Sequence, residues 1–450
     1  MKTELIKKYN IPGPRYTSYP TVPYWDTDSF SSQGWKDSIL NTFWSNGKEI
    51  SIYVHLPFCE SLCTYCGCNT RITKNHSVEE VYINALLKEW EMYLSIFPSR
   101  PIVKELHLGG GTPTFFSPAN LEKLIEGILS KCTVSSNPDM AFEGHPNNTT
   151  PKHLQALFNL GFKRVSFGIQ DFDPHVQKLI NRIQSFENVE SATQAARKIG
   201  YESVNFDLIY GLPGQTNRSV QDTIAKTLGL KPDRIAFYSY AHVPNLKPSQ
   251  RAYESSLPTE DEKQLLYESG KSMLIDDGYQ DIGMDHFALP HDPMYKVWSE
   301  GNLHRNFMGY TTQKTNMVIG LGVSAISDTW TAFAQNVKKI ETYYDLIEND
   351  QMPILKGHVM TRQDLVVRKK ILDLICKYET EWTEEELLSF GLEINFELLE
   401  ELQADNLIFL HDNGLKVLEA GKPFIRNTCM PFDVRMWNTK EKEVFFSKTI

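Results

Sequence analysis

The 450-residue chain carries 46 basic and 56 acidic residues, a net charge of −10, with 41% hydrophobic and 23% charged residues. That balance belongs to a globular enzyme, long enough for two domains or for one large α/β domain with appendages. It excludes a broad basic face for nucleic acid, and no run of about 18 apolar residues is present to span a membrane.

The opening "MKTELIKKYN" has no apolar core of a secretory signal, so the cytoplasm is the expected compartment. Residues 1–45 read as an arm packing on the body. Its stretch "YNIPGPRYTSYPTVPYW", rich in proline and aromatics, predicts irregular, extended chain. From about residue 50 to 290, apolar runs alternate with amphipathic segments. The runs are "SIYVHL" (51–56), "KELHLGGG" (104–111), "MAFEGH" (140–145), "RVSFGIQ" (164–170), "SVNFDLIYG" (203–211), "RIAFYSYAH" (234–242) and "YQDIGMDHF" (279–287). Strand and helix in regular succession predict a parallel sheet covered by helices, and six or seven such units fit a partial or full (β/α) barrel. Chemistry in such a barrel collects in the loops at the strands' C-terminal ends. The stretches "CESLCTYCGC", "GGGTPT" and "EGHP" all follow strands and are expected to face one mouth.

Beyond residue 350 the pattern turns to short helices, "RQDLVVRKKILDLICKY" (362–378) and "FELLEELQAD" (396–405). A hairpin with Asp412-Asn413-Gly414 as its turn follows. Helices followed by a β wing predict a mainly helical, winged-helix-like cap. The acidic segment "TEEELLSF" argues against its use on DNA. The expected units are therefore an arm at 1–45, a catalytic barrel at 46–345 and a cap at 346–450.

Of the seven cysteines, Cys132, Cys376 and Cys429 sit on apolar segments and read as core residues. The other four, Cys59, Cys63, Cys66 and Cys68, share one loop. A reducing compartment disfavours disulfides. A four-cysteine zinc site normally joins two separated ligand pairs, and no second pair exists elsewhere. The remaining reading is an iron–sulfur cluster held at three corners by the CxxxCxxC spacing, with one iron left open to a small molecule. The glycine triplet Gly109–Gly111 is by itself equally a tight turn or a place where backbone meets a ligand.

The cysteine spacing after a first barrel strand resembles the radical S-adenosylmethionine (SAM) superfamily. Together with "PGPRYTSYPT" (12–21), "FGIQDFDPHVQKLINR" (167–182), "FDLIYGLPGQT" (206–216), "IGMDHFA" (282–288), "LHRNFMGYTTQ" (303–313) and "IRNTCMPFD" (425–433), it resembles the oxygen-independent coproporphyrinogen III oxidases. The resemblance runs from near residue 9 to the C-terminus. It implies a partial barrel of the radical SAM type. It also implies oxidative decarboxylation of two propionates of coproporphyrinogen III, giving protoporphyrinogen IX for haem synthesis. The cofactors it implies are a [4Fe–4S] cluster with SAM on its open iron and a second SAM molecule nearby.

Carried over by position, the resemblance makes Cys59, Cys63 and Cys66 the iron ligands and leaves Cys68 beside the cofactors as a family marker. It sets Tyr53, Gly110 and Glu143 against the first SAM, with Ala241 and Ile326 at its adenine. Tyr65 falls between the cluster and the second SAM, which Gly111, Thr112, Gln170, Arg182 and Asp207 line. His107 and His242 read as structural. Four substrate carboxylates demand a local cationic patch, for which Arg15, Arg305 and Arg426 are the candidates. Two departures from the family pattern stand out: His145 in "EGHP" in place of an acid, and Met308 in place of a glutamine, which removes an amide donor and acceptor. The chain is expected to act as a monomer with unidentified electron donor and acceptor, and without nucleic acid. The alternatives are a different radical SAM reaction on haem or porphyrin, such as methylation or ring opening, and a haem chaperone or carrier on the same scaffold.

Overall fold

Twelve strands pair into one open sheet in the computed structural model, which describes residues 2–245, 247–438 and 446–449. They are β1 (Glu49–Leu56), β2 (Ile102–Gly110), β3 (Thr133–Gly144), β4 (Arg164–Gln170), β5 (Ser203–Tyr210), β6 (Arg234–Ser239), β7 (Gln280–Gly283), β8 (His286–Ala288), β9 (Val318–Leu321), β10 (Ile326–Asp328), β11 (Ala332–Asn336) and β12 (Ile354–Val359). Their order is β12-β11-β10-β9-β1-β2-β3-β4-β5-β6-β8-β7. The central strands, β9 and β1 to β6, run parallel, and the strands at both ends pair antiparallel. The edges β12 and β7 do not meet, so the barrel is partial.

Alternation along β1 shows how the sequence builds the wall. Ile50, Ile52, Val54 and Leu56 are fully buried in the main core, against the helix Val78–Ile96 with its Tyr82, Leu86 and Trp90. Burial of each such aliphatic side chain stabilises by about 1.5–3 kcal/mol. The intervening Ser51, Tyr53 and His55 point to the opposite, concave face. There the Ser51 hydroxyl donates to Glu105, which also accepts from Thr311.

Three details differ from the sequence reading. The run "YQDIGMDHF" is two strands, β7 and β8, joined by a turn in which Met284 and Asp285 have φ of 45° and 70°. The arm is irregular only between Asn10 and Ser31, apart from a 3-10 turn at Val22–Tyr24, and is flanked by helices Lys2–Tyr9 and Ser32–Ser45. Ser31 caps the second of these by accepting from the Gly34 amide at 3.0 Å. The expected barrel limit at 345 falls before β12, the last strand of the sheet.

The arm also joins two bodies rather than resting on one. Trp35, Ile39 and Phe43 enter the main core, whereas Tyr9, Tyr16 and Tyr19 enter a second core with Val367, Leu374, Phe424 and Phe432. That second core belongs to the C-terminal helices Arg362–Lys377 and Phe396–Ala404. Beside them lies a three-stranded wing whose hairpin, Ile408–His411 and Gly414–Val417, turns at Asp412 and Asn413. Cys132, Cys376 and Cys429 are buried. Among the described residues no helix is long and apolar enough to cross a membrane.

Candidate active site

Parallel register carries one line of side chains across the concave face. Tyr53 pairs with His107 and His55 with Gly109, Glu143 with Ser166, Ser166 with Asn205, and Gly168 with Asp207. The loops leaving these strand ends enclose a cavity of about 480 Å3. Of the expected cofactor residues, the three cysteines, Tyr65, Gly110, Gly111, Thr112, Glu143, Gln170, Arg182 and Asp207 all line it, together with Cys68 and His145. Tyr53 stands behind Glu143, its ring stacked on His107 at 6.0 Å between centroids. Ala241 is tied to the loop indirectly, because the Gln250 amide donates to the carbonyls of both Ala241 and Tyr65. Ile326 does not line this cavity and packs against the cluster of Trp25, Phe333 and Met360.

The cysteine loop is short of regular structure but not of bonds. The Cys66 amide donates to the Cys63 carbonyl at 3.0 Å, Cys59 Sγ lies 3.3 Å from Thr112 Oγ1, and Arg182 Nη1 approaches Cys63 Sγ to 3.6 Å. A hydrogen bond from Cys68 brings Cys66 down to about 6, with Lys247 and Arg182 adding to the effect, whereas burial lifts Cys59 to about 11. Cys68 is itself pushed well up by that same hydrogen bond and by burial.

Among the described residues no three His, Cys, Asp or Glu side chains converge closely enough to hold a single metal ion. The three ligand-type thiols of one loop instead open into a large cavity, which suits a cluster with one cysteine per corner. The donor set therefore fits the [4Fe–4S] group.

Two glycines of the triplet are there because nothing larger fits. Gly110 has φ of 109°, and a Cβ on it would lie 2.6 Å from the His55 ring. On Gly111 a Cβ would lie 2.7 Å from the Pro57 carbonyl carbon. The close approach leaves the Gly110 amide donating to Glu143 Oε2 at 3.3 Å.

Burial opposes ionisation of Glu143. The hydrogen bond and charge of His107, with the Gly110 amide, outweigh it and hold the carboxyl below its usual range. Asp207 goes the other way: burial, then the charge of Glu143, raises it to about 6, against hydrogen bonds from Ser166 at 2.9 Å and Asn205 at 2.8 Å. Two carboxyls on one wall are thereby shifted in opposite directions, Glu143 down and Asp207 up. His145 is depressed to about 3 by burial and by Arg182, so this departure presents a neutral imidazole to the cavity. At the other departure, Met308 lies in the turn of a small hairpin, its amide donating to Asn306 at 2.9 Å, while its neighbour Phe307 meets Tyr53 edge-on. His107 and His242 take structural partners, Glu143 and Glu254.

The three expected arginines line a second, smaller cavity of about 100 Å3. They differ in how far they are committed. Arg426 is bound to main-chain carbonyls of both termini: Pro14 at 2.9 Å, Lys448 at 2.7 Å, Gly13 and Ser447. Arg15 donates to the Ser239 carbonyl at 3.3 Å and is exposed. Arg305 is buried over the Tyr310 ring, and its Nε and Nη1 have no hydrogen-bond partner, an uncompensated state that calls for an anion.

Sequence reasoning passed over two members of this second cavity. Tyr238 lines both cavities and forms a wall between them, with its hydroxyl 3.3 Å from His286 Nε2. Asp285 also lines the second cavity, raised to about 6 by burial against the pull of Arg15 and Arg426. Both stood in quoted segments, "RIAFYSYAH" and "IGMDHFA". Alternation along β6, with Tyr238 and Tyr240 on one face, was the available signal for the first.

Residues 53–226 match the family model of the radical SAM superfamily. The chain is 37% identical to the oxygen-independent coproporphyrinogen III oxidase of Escherichia coli (strain K12), over 99% of this chain and 98% of that protein. It is 38% identical to the enzyme of the same name from Pseudomonas aeruginosa, over 96% and 95%. Among solved structures it superposes on the Escherichia coli coproporphyrinogen III oxidase, described as a radical SAM enzyme. The TM-score is 0.88 at 35% identity, covering 96% of this chain and 98% of that one.

Proposed function

Because this chain belongs to the family of oxygen-independent coproporphyrinogen III oxidases, we propose that its two cavities divide the family's reaction between them. The chain is an oxidoreductase of haem biosynthesis that oxidatively decarboxylates coproporphyrinogen III to protoporphyrinogen IX, using a [4Fe–4S] cluster and SAM. Held by the cysteine cavity, these cofactors would supply the one-electron chemistry needed to remove a hydrogen atom from a propionate β-carbon.

In our reading Cys59, Cys63 and Cys66 hold the iron and Cys68 does not. Tyr53, Gly110 and Glu143 receive one SAM, the ionised carboxylate of Glu143 suiting an ammonium or ribose hydroxyls. Ala241 and Ile326 remain the adenine contacts assigned by position, with Ile326 the less supported because it packs toward the arm. Tyr65, Gly111, Thr112, Gln170, Arg182 and Asp207 receive a second SAM, with the Arg182 guanidinium suited to a carboxylate. Arg305 and Arg15 take propionates of the substrate, and Arg426 keeps the arm and C-terminal segment closed over them.

The observation that carries this division is Tyr238. One side chain borders both the cysteine cavity and the arginine cavity, so a propionate anchored at Arg305 has a single ring between it and the cofactor space.

We further read residues 1–45 as arm, 46–345 extended to take in β12 as catalytic unit, and the remainder of 346–450 as cap. The site is assembled within one chain, which supports a monomer. A cytoplasmic setting, with a separate electron donor and acceptor, accords with the absence of a spanning helix among the described residues. The test is anaerobic: reconstituted enzyme, SAM, a low-potential reductant and coproporphyrinogen III should yield protoporphyrinogen IX and CO2. A protein that keeps its cluster yet forms neither vinyl product nor 5′-deoxyadenosine would refute the reading.

A further inference from the structure

A third cavity, of about 420 Å3, lies behind the arginine cavity and is not used by any role assigned so far. Leu5 and Ile6 of the N-terminal helix, Pro423 and Phe424, and the rings of Tyr210 and Tyr267 form its apolar lining. The polar residues around it already have partners: Lys263 donates to the Tyr240 carbonyl, Lys271 pairs with Asp281 at 2.5 Å, and Glu260 pairs with Lys448 and Asn10. They therefore present chiefly their hydrocarbon stems to the space. A nucleotide or flavin phosphate would find no unengaged cationic partner among them. An apolar molecule would find a largely apolar space of ordinary ligand size.

Tyr210 and Tyr267 also line the arginine cavity, and their ring centroids are 5.0 Å apart. The two spaces share Tyr210, Tyr267, Lys271 and Pro423 as common walls. The reaction needs such a neighbour. After hydrogen loss at the β-carbon, the C–C bond to the carboxylate breaks and CO2 leaves. One electron of that bond joins the unpaired electron in the new vinyl double bond, and the other must leave the substrate. No group on this chain is assigned to accept it.

Resting on the coproporphyrinogen reading above, we propose that this third cavity binds a quinone as the electron acceptor, with Tyr210 and Tyr267 between it and the substrate. Two decarboxylations release two electrons, which with two protons reduce one quinone to its quinol. The expected yield is one quinol per protoporphyrinogen IX.

The test uses reconstituted holoenzyme under strict anaerobiosis, with 2-methyl-1,4-naphthoquinone as probe. Binding is measured by equilibrium dialysis and quinol formation by chromatography. Wild type is expected to bind the probe in the absence of any porphyrinogen and to release one quinol per product. Ile6→Trp and Ala420→Trp, which fill the cavity from two different elements, are each expected to weaken binding about tenfold or more. Circular dichroism and iron content identify a variant that has failed to fold, and the other variant then decides.

Absence of probe binding to wild type, equal binding to both folded variants, or displacement of the probe by coproporphyrinogen III would overturn the proposal. Displacement would mean that the macrocycle itself occupies the space. Failure of the functional reading is separately visible as absent 5′-deoxyadenosine, since probe binding is measured without turnover.

Discussion

Arg182 Nη1 lies 3.6 Å from Cys63 Sγ, and Nη2 of the same guanidinium donates to the Gly168 carbonyl at 2.5 Å. One buried fork thus joins the cysteine loop to the end of β4, while its Nε has no partner. Two of its three nitrogens are used for assembly and one is left over. That division predicts the phenotype of Arg182→Leu. The three proposed iron ligands remain, so iron content should stay near wild type. SAM affinity should fall about 10- to 100-fold, the usual cost of losing hydrogen bonds to a charged group. Equilibrium dialysis with labelled SAM, beside an iron assay, checks both halves.

The four loop cysteines are expected to separate cleanly. Cys59→Ala should abolish cluster retention. Cys68→Ala should keep iron near wild type if, as proposed, only Cys59, Cys63 and Cys66 hold the cluster. Iron and sulfide content after reconstitution measures this, and equal loss in both variants would remove the three-corner assignment.

Gly110→Ala should cost about 1–3 kcal/mol of stability, since an alanine there must hold a φ of 109° and its Cβ meets the His55 ring at 2.6 Å. Thermal unfolding of the cluster-free protein is the measurement. His55 has little freedom to yield, because its Nε2 is fixed to the Asn69 carbonyl at 2.9 Å.

Asp207 gives a pH dependence of definite sign. Its carboxyl is raised from 3.8 to about 6 by burial, so the folded state disfavours the ionised form. The resulting cost is absent below pH 3.8, grows between there and pH 6, and is complete above. Asp207→Asn removes it. In the cofactor-free protein the variant should be more stable than wild type at pH 7.5, by at most about 3 kcal/mol, and the advantage should vanish near pH 4. Chemical denaturation at the two pH values checks the difference of differences. A variant that is destabilised equally at both would show that the Ser166 and Asn205 hydrogen bonds dominate instead.

Much of this arrangement is legible in the residues. The β-runs ending in "GGGTPT" and "EGHP", and the cysteine loop after β1, fall where parallel strands must deliver them, because period-two alternation and short connections leave little choice. The arginines were not separable in the same way. Arg15, Arg305 and Arg426 look alike as cations in motif-like segments, yet Arg426 is bound to carbonyls of residues 13, 14, 447 and 448, more than 400 positions apart in the chain. Only the meeting of the two termini reveals that commitment. The surroundings of Ile326 were hidden for a related reason: a position in β10 does not say which way the arm closes, and here Trp25 of the arm packs on the strand beside it. Tyr238 escaped notice because a tyrosine in an apolar strand reads as packing until both of its neighbouring spaces are seen.

The most direct test of the account follows the hydrogen atom. Coproporphyrinogen III deuterated at the propionate β-carbons, incubated anaerobically with reconstituted enzyme, SAM and reductant, should yield 5′-deoxyadenosine carrying one deuterium alongside protoporphyrinogen IX. Vinyl product formed with unlabelled 5′-deoxyadenosine would contradict it.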